Sequence, residues 1–426
     1  MIKEKLAILG GSKTISRAFK QYRSIGEEEM EAAKKVIESG VLSEFLGVWN
    51  EKFYGGPKVR EFEKAAAEFF GVKHAVTVNS WTSGLVAAIG SIGIEPGDEV
   101  IVTPWTMTAT ATAILHWNAI PVFADIDKDT YNLSPTSIQK CISPHTRAIV
   151  VADIFGQSAD MDEIMKLASK YGLKVVSDTA QAPGAMYKNR YAGTCADVGG
   201  FSLNYHKHIH TGEGGILVTN EDKIAERLQL IRNHAEVIVK DKGVTDISNM
   251  VGHNFRLGEI ECAIGLEQIK KLPNIVTLRQ QLSEMMTNGL KDLLGLSTPF
   301  VGSDRTHVYY VFAMQLDVEL LGVSREKICA ALNAEGVPVS TSYQNIHLLP
   351  IYQRKIAFGS KGFPWTSDIC KRQVSYEKGI CPIAERLNDE TYFGFNICLY
   401  SLDKEDIKSI IAAFHKVWEN ISLLKG

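Results

Sequence analysis

The chain has 426 residues, 45% of them hydrophobic and 22% charged, with a formal net charge of −3 at pH 7. That length exceeds one ordinary core, so two domains are expected, with the composition of a soluble globular protein. The lack of a basic block argues against nucleic acid as the main partner, and the apolar runs fall short of a membrane span.

The N-terminal MIKEKLAILGGSK has too short an apolar patch for a signal-peptide core. The first half of the chain then alternates short β-branched runs with helical patterns, the mark of a mostly parallel sheet covered by helices. Seven strands are expected, at His74–Val78, Glu99–Val102, Pro121–Ala124, Ala148–Ala152, Lys174–Ser177, Val198–Leu203 and Ile216–Thr219. Helical stretches fall at Ser83–Ile92 and Met161–Tyr171, and a longer helix is expected from Arg256 to Lys271, with Ile260, Ile264, Leu266 and Ile269 near helical spacing. After about residue 275 the alternation loosens, Tyr309–Gln315 reads as a strand, and Lys404–Glu419 reads as a closing amphipathic helix. The expected division is 1–275 for an N-terminal segment and large domain, and 276–426 for a smaller α+β domain. The seven cysteines form no C-x-x-C, which fits reduced, packed thiols in a cytoplasmic protein.

Three chemistries compete for residues 201–215, FSLNYHKHIHTGEGG. If the stretch is a strand, His206, His208 and His210 share one face and could ligate a metal. No acidic or cysteine ligand stands at a telling spacing, however, so these histidines are read as lining of a cleft. Gly212, Gly214 and Gly215 lead into a strand, not a helix, which is the wrong context for a phosphate loop. They are read as a tight backbone passage. The third reading takes Lys207 as a Schiff-base lysine. Two other stretches bear on it. In VTVNSWTSGLVAA a strand ends at Asn79 and Ser80, Thr82 and Ser83 open a helix, where hydroxyls and free N–H groups suit a phosphate. In VVSDTAQAPGA, Asp178 ends an apolar strand at the edge of the sheet where α/β proteins bind ligands. Pyridoxal phosphate asks for that combination: a lysine, an acid facing the ring nitrogen and an anion site.

At these residues the chain resembles the pyridoxal-phosphate sugar aminotransferases of the DegT/StrS type, with the fold type I, aspartate-aminotransferase-like architecture. FSLNYHKHIHTGEGG matches F-S-x4-K-x4-G-E-G-G, SDTAQAPGA matches D-x-A-Q-A-x-G-A, and GHNFRLGEIECAIGL resembles G-x-N-x-R-x-x-[DE]-x-x-A-A-I-G-L. EPGDEVIVTPWT, IPVFADID and YGGPKVREFE are further landmarks. The resemblance implies a seven-stranded, mostly parallel sheet flanked by helices, with a smaller C-terminal domain. It makes Lys207 the catalytic lysine, which also carries the proton, and sets Asp178 against the pyridine nitrogen and Gln181 against the ring's 3-hydroxyl. It puts Thr82 and Ser202 on the phosphate and sends Asn254 to the phosphate of the partner subunit, in a homodimer with shared active sites. Trp81 stands where the family usually has a small residue, and Met107 stands where an aromatic residue often stacks on the ring. Both belong to the cofactor-binding set, with Trp81 or Trp105 left to stack or to wall the pocket. The implied reaction moves an amino group from glutamate or glutamine to a keto-sugar or related keto-cyclitol, most commonly a nucleotide-linked keto-sugar, in amino-sugar biosynthesis. No metal enters it. A sugar dehydratase of the same cofactor carries histidine in place of the lysine, and a non-catalytic sensor of cofactor or sugar has no need of one.

Overall fold

The structure is a computed structural model that describes residues 4–341 and 343–425. Its larger sheet holds seven strands: β1 (His74–Val78), β2 (Glu99–Val102), β3 (Ile120–Phe123), β4 (Thr146–Ala152), β5 (Lys174–Asp178), β8 (Val198–Ser202) and β9 (Gly215–Thr219). A short hairpin, β6 (Met186–Tyr187) and β7 (Arg190–Tyr191), interrupts the series. The sheet order is β1-β9-β8-β5-β4-β2-β3, and β9 alone runs against its neighbours. Strands β2, β3, β8 and β9 are buried along their whole length, which explains why EVIV and GILVT read as continuous apolar runs and not as alternating ones. All seven expected strands are present, with ends shifted by two residues at most.

Helices cover the sheet: α1 (Glu27–Ser39), α2 (Pro57–Phe70), α3 (Trp81–Ser91), α4 (Ala109–His116), α5 (Pro135–Cys141), α6 (Met161–Tyr171), α7 (Asp222–Arg232), α8 (Ala235–Lys242) and α9 (Glu259–Leu290). Helix α6 shows the local logic. Met161, Ile164 and Ala168 form its buried face, and Gly172 ends it at a φ of +66°, where glycine carries no Cβ penalty.

Helix α9 differs from the expected Arg256–Lys271. It is 32 residues long and runs straight through Pro273. A proline inside a helix costs about 3 kcal/mol. Leu272, Val276, Leu282, Met286 and Leu290 continue the buried face, and each such side chain contributes roughly 1.5–3 kcal/mol. Burial wins. The helix thereby crosses residue 275. Its first part packs in a cluster with Phe62 and Phe201, and its last turns in a second cluster with Phe312, Phe393 and Phe414. Leu6 and Ile15 are buried in that second cluster as well.

The smaller lobe is an antiparallel four-stranded sheet, β10 (Leu296–Ser297), β11 (Phe312–Leu316), β13 (Tyr392–Phe395) and β12 (Val339–Ser340), closed by a helix at Lys404–Glu419. No helix among the described residues is long and apolar enough to cross a membrane. All seven cysteines are free; five are buried and Cys141 and Cys370 are half-buried.

Candidate active site

Adjacent parallel strands β5 and β8 end side by side, with Asp178 opposite Gly200, so Asp178 and Ser202 arrive at the same sheet edge. The chain beyond Ser202 does not continue as a strand. Residues 203–214 form a loop, so the expectation that His206, His208 and His210 could share one face does not hold. Pairing with β9 ends at Ser202–Gly215, and the backbone turns through Gly212 (φ +89°) and Gly214 (φ +147°). These glycines are the tight passage expected of them.

The three imidazoles go separate ways. His208 is fully buried and its Nε2 donates to the Val308 carbonyl at 2.8 Å. His210 accepts from the Gly212 amide at 3.4 Å. His206 is half-buried, and burial together with the Lys207 charge pushes its pKa down to about 4. Among the described residues no group of three or more His, Cys, Asp or Glu could hold a metal ion.

Lys207 is only 8% exposed. Burial pulls its pKa down to about 8, against the opposing pull of Asp178. Its Nζ lies 4.5 Å from the centre of the Tyr310 ring and 3.4 Å from the Tyr310 hydroxyl. Asp178 is held at both oxygens. The Trp81 indole N–H donates to Oδ1 at 2.6 Å and Thr110 Oγ1 donates to Oδ2 at 2.6 Å. Gln181 spans the two lobes, accepting from the Phe155 amide at 2.9 Å and donating to the Tyr343 hydroxyl at 3.1 Å.

These groups line one cavity of about 350 Å³. Lys207, Asp178, Gln181, Ser202, Thr82, Trp81 and Met107 are all on its wall. Thr82 sits in the first turn of α3, capped by Ser80, whose side chain accepts from the Ser83 amide. Met107 is 66% exposed at the rim. Trp105 is fully buried away from the wall, donating to Asn345 Oδ1 at 2.7 Å, so it forms core. Asn254 is exposed and off the wall, and its carbonyl accepts from Asn79 of the same chain at 3.3 Å.

Several wall residues have no sequence signal. Tyr310, Tyr343 and Asn396 come from the smaller lobe, and Gln181 meets Tyr343 across 162 residues of chain. Thr110 lies in the unremarkable run TATAT, where its contact with Asp178 is invisible. Asp153 is also on the wall, its side chain buried and its pKa raised to about 6 by burial, and it accepts from Thr179 Oγ1 at 2.7 Å.

The cavity fits pyridoxal phosphate. A buried amine from the loop after β8 and a carboxylate held at both oxygens at the end of β5 face it, and a hydroxyl-rich helix N-terminus opens on it. Asn204 Oδ1 is buried at the same wall without a hydrogen-bond partner, as a site built for a polar guest requires.

Comparison with known proteins agrees. The model of the DegT/DnrJ/EryC1/StrS aminotransferase family matches residues 24–392. The spore coat polysaccharide biosynthesis protein SpsC of Bacillus subtilis is 34% identical over 358 residues, 82% of this chain and 89% of the relative. GDP-perosamine synthase of Caulobacter vibrioides is 34% identical over 298 residues, 70% of this chain and 79% of the relative. Among solved structures, an aminotransferase from Psychrobacter cryohalolentis superimposes with a TM-score of 0.79 at 26% identity, covering 95% of this chain and all of that one. With its fold type I sheet and a lysine and carboxylate converging on one cavity, the chain belongs to the DegT/DnrJ/EryC1/StrS family and is a pyridoxal-phosphate-dependent sugar aminotransferase.

Proposed function

We propose that this enzyme moves an amino group from glutamate or glutamine to a keto-sugar carried on a nucleotide, in amino-sugar biosynthesis for a polysaccharide. The convergence of the Lys207 amine and the Asp178 carboxylate on one cavity carries the reading. The nucleotide linkage rests on the likeness to a synthase named for a GDP-linked sugar, and the polysaccharide on the likeness to SpsC. The proposed setting is the cytoplasm. Residues 1–275 would carry the cofactor-binding domain and 276–426 the smaller one, with α9 running through both.

Pyridoxal phosphate, when bound, supplies an electron-accepting ring and the carbonyl carbon that carries nitrogen between donor and acceptor. The chain's own residues do the rest. Lys207 Nζ, its pKa lowered towards working pH, takes the proton from the donor's Cα and passes it on. Asp178 faces the ring nitrogen, and Gln181 orients the ring through its 3-hydroxyl while tying the lobes together through Tyr343. Ser202 and Thr82 hold the phosphate, and Trp81 and Met107 complete the cofactor wall.

The active assembly is proposed to be a homodimer in which Asn254 reaches the partner's phosphate. An apolar stretch supports it: Val41, Leu42, Leu46, Val48 and Trp49 are all at least 36% exposed. That stretch is tied to the Asn254 segment, because Asn233 donates to the Leu46 carbonyl at 3.0 Å and accepts from Arg256 at 2.9 Å.

The test is a screen of nucleotide-linked keto-sugars with glutamate and with glutamine, reading aminated product by mass. Borohydride reduction of the cofactor-loaded protein should fix the label on the peptide holding Lys207. A label on another lysine, or dehydration without amination, would sink the proposal.

A further inference from the structure

Position 81 holds a tryptophan, and the surrounding backbone is shaped to admit it. The indole is 6% exposed. A Cβ at Gly84, one turn further along α3, would lie 2.7 Å from Trp81 Cε3. A Cβ at Gly200, in the middle of β8, would lie 2.4 Å from Cζ3 and Cη2. Glycine weakens the interior of both helices and strands, so its presence at both places needs a reason. Neither glycine has a positive φ that would demand it. At Gly84 the indole is the nearest group, ahead of the Val78 side chain at 3.3 Å, so space for the ring is the reason there. At Gly200 the Ile216 carbonyl oxygen, at 2.2 Å, also bars a Cβ, and the indole shares the space that the strand pairing leaves.

The slot aims the ring. From it, Nε1 donates to Asp178 Oδ1 at 2.6 Å, and both side chains are buried. Thr110 Oγ1 takes Oδ2 from α4, also at 2.6 Å. Two side-chain donors from two helices, one on each oxygen, fix the carboxylate against rotation, with the Ala180 amide adding a longer bond to Oδ1 at 3.2 Å. We infer that Trp81 is a positioning residue for Asp178, seated in a slot made by Gly84 and Gly200, so that its indole N–H sets the plane of the carboxylate facing the cofactor. The inference rests on the reading that Asp178 serves the ring nitrogen.

Trp81→Phe tests it, because phenylalanine keeps an aromatic ring in the slot and lacks the N–H. A charge-assisted hydrogen bond lost at the reacting centre should lower kcat about ten- to hundredfold, with KM for both substrates changed by less than about threefold. In the cofactor-free protein, the short bond should give wild type one far-downfield indole N–H proton resonance, absent from Trp81→Phe. Gly84→Ala supplies a second arm. Its added methyl meets Cε3 and Cζ3, ring atoms that phenylalanine does not have. It should therefore lower kcat in the wild-type background and add little to Trp81→Phe. Equal effects of Gly84→Ala in both backgrounds, a Trp81→Phe enzyme with kcat within about twofold of wild type, or no downfield resonance in folded wild type would each overturn the inference. Asp178→Asn separates the two levels. If it too turns over normally, the Asp178 reading has failed; if it is crippled while Trp81→Phe is normal, only the role of Trp81 has.

Discussion

In the role proposed for it, Lys207 shows how burial turns a common residue into a reagent. An exposed lysine amine is protonated at neutral pH, whereas here burial lowers the pKa to about 8. The neutral amine is the nucleophile. Its fraction therefore rises with pH up to about 8 and levels off above. Capture of pyridoxal phosphate by the cofactor-free protein should follow that curve, falling about tenfold for each pH unit below the pKa. Stopped-flow absorbance across the pH range checks it, and a midpoint near an ordinary lysine value would show that Nζ is solvated. The role proposed for Asp178 makes the opposite demand, a charge facing the ring nitrogen at a buried position. Asp178→Asn keeps the shape and removes the charge, so turnover should fall by several orders of magnitude while the cofactor still binds through its phosphate. Steady-state kinetics beside a cofactor titration would show both halves of that outcome.

At the scale of elements, helix α9 holds the large lobe to α2 at a point with no spare room. A Cβ at Gly265 would lie 2.5 Å from the ring of Phe62, which is fully buried. Gly265→Ala gains about 1 kcal/mol of helix propensity but meets an overpacking cost of about 1–3 kcal/mol. The clash should win, with a net loss of up to about 2 kcal/mol in chemical denaturation. A stabilised variant would mean that the two helices part freely. The same helix carries the difference between expectation and structure. Read locally, a helix has reason to stop near Pro273, and only the second cluster of apolar side chains explains why it does not.

At the scale of the whole molecule, the proposed dimer makes a prediction about mixtures. Lys207→Ala removes the reacting amine, and Asn254→Asp sets a negative charge against the partner's phosphate. Each homodimer should be inactive or badly impaired. In a mixed dimer, one site joins the intact Lys207 of one chain to the intact Asn254 of the other, and the second site bears both lesions. Activity should return on mixing and stay below half of wild type. If subunit exchange is demonstrated and nothing returns, the shared-site reading fails.

Much of this protein was legible along the chain because its chemistry is local. The seven strands of the large sheet announce themselves as apolar runs, and Lys207, Asp178 and Gln181 sit in short motifs at or just beyond the ends of β5 and β8. What the sequence could not carry was partnership between distant segments. Nothing near residue 207 names Tyr310, nothing near 181 names Tyr343, and the five-residue run TATAT does not say which hydroxyl meets Asp178. The H-x-H-x-H pattern misled for a related reason: side-chain alternation applies only while a strand continues, and pairing with β9 stops at Ser202. Motif spacing singled out the residues proposed to carry the chemistry; the packing of two lobes, through contacts more than a hundred residues apart, decided what holds them in place.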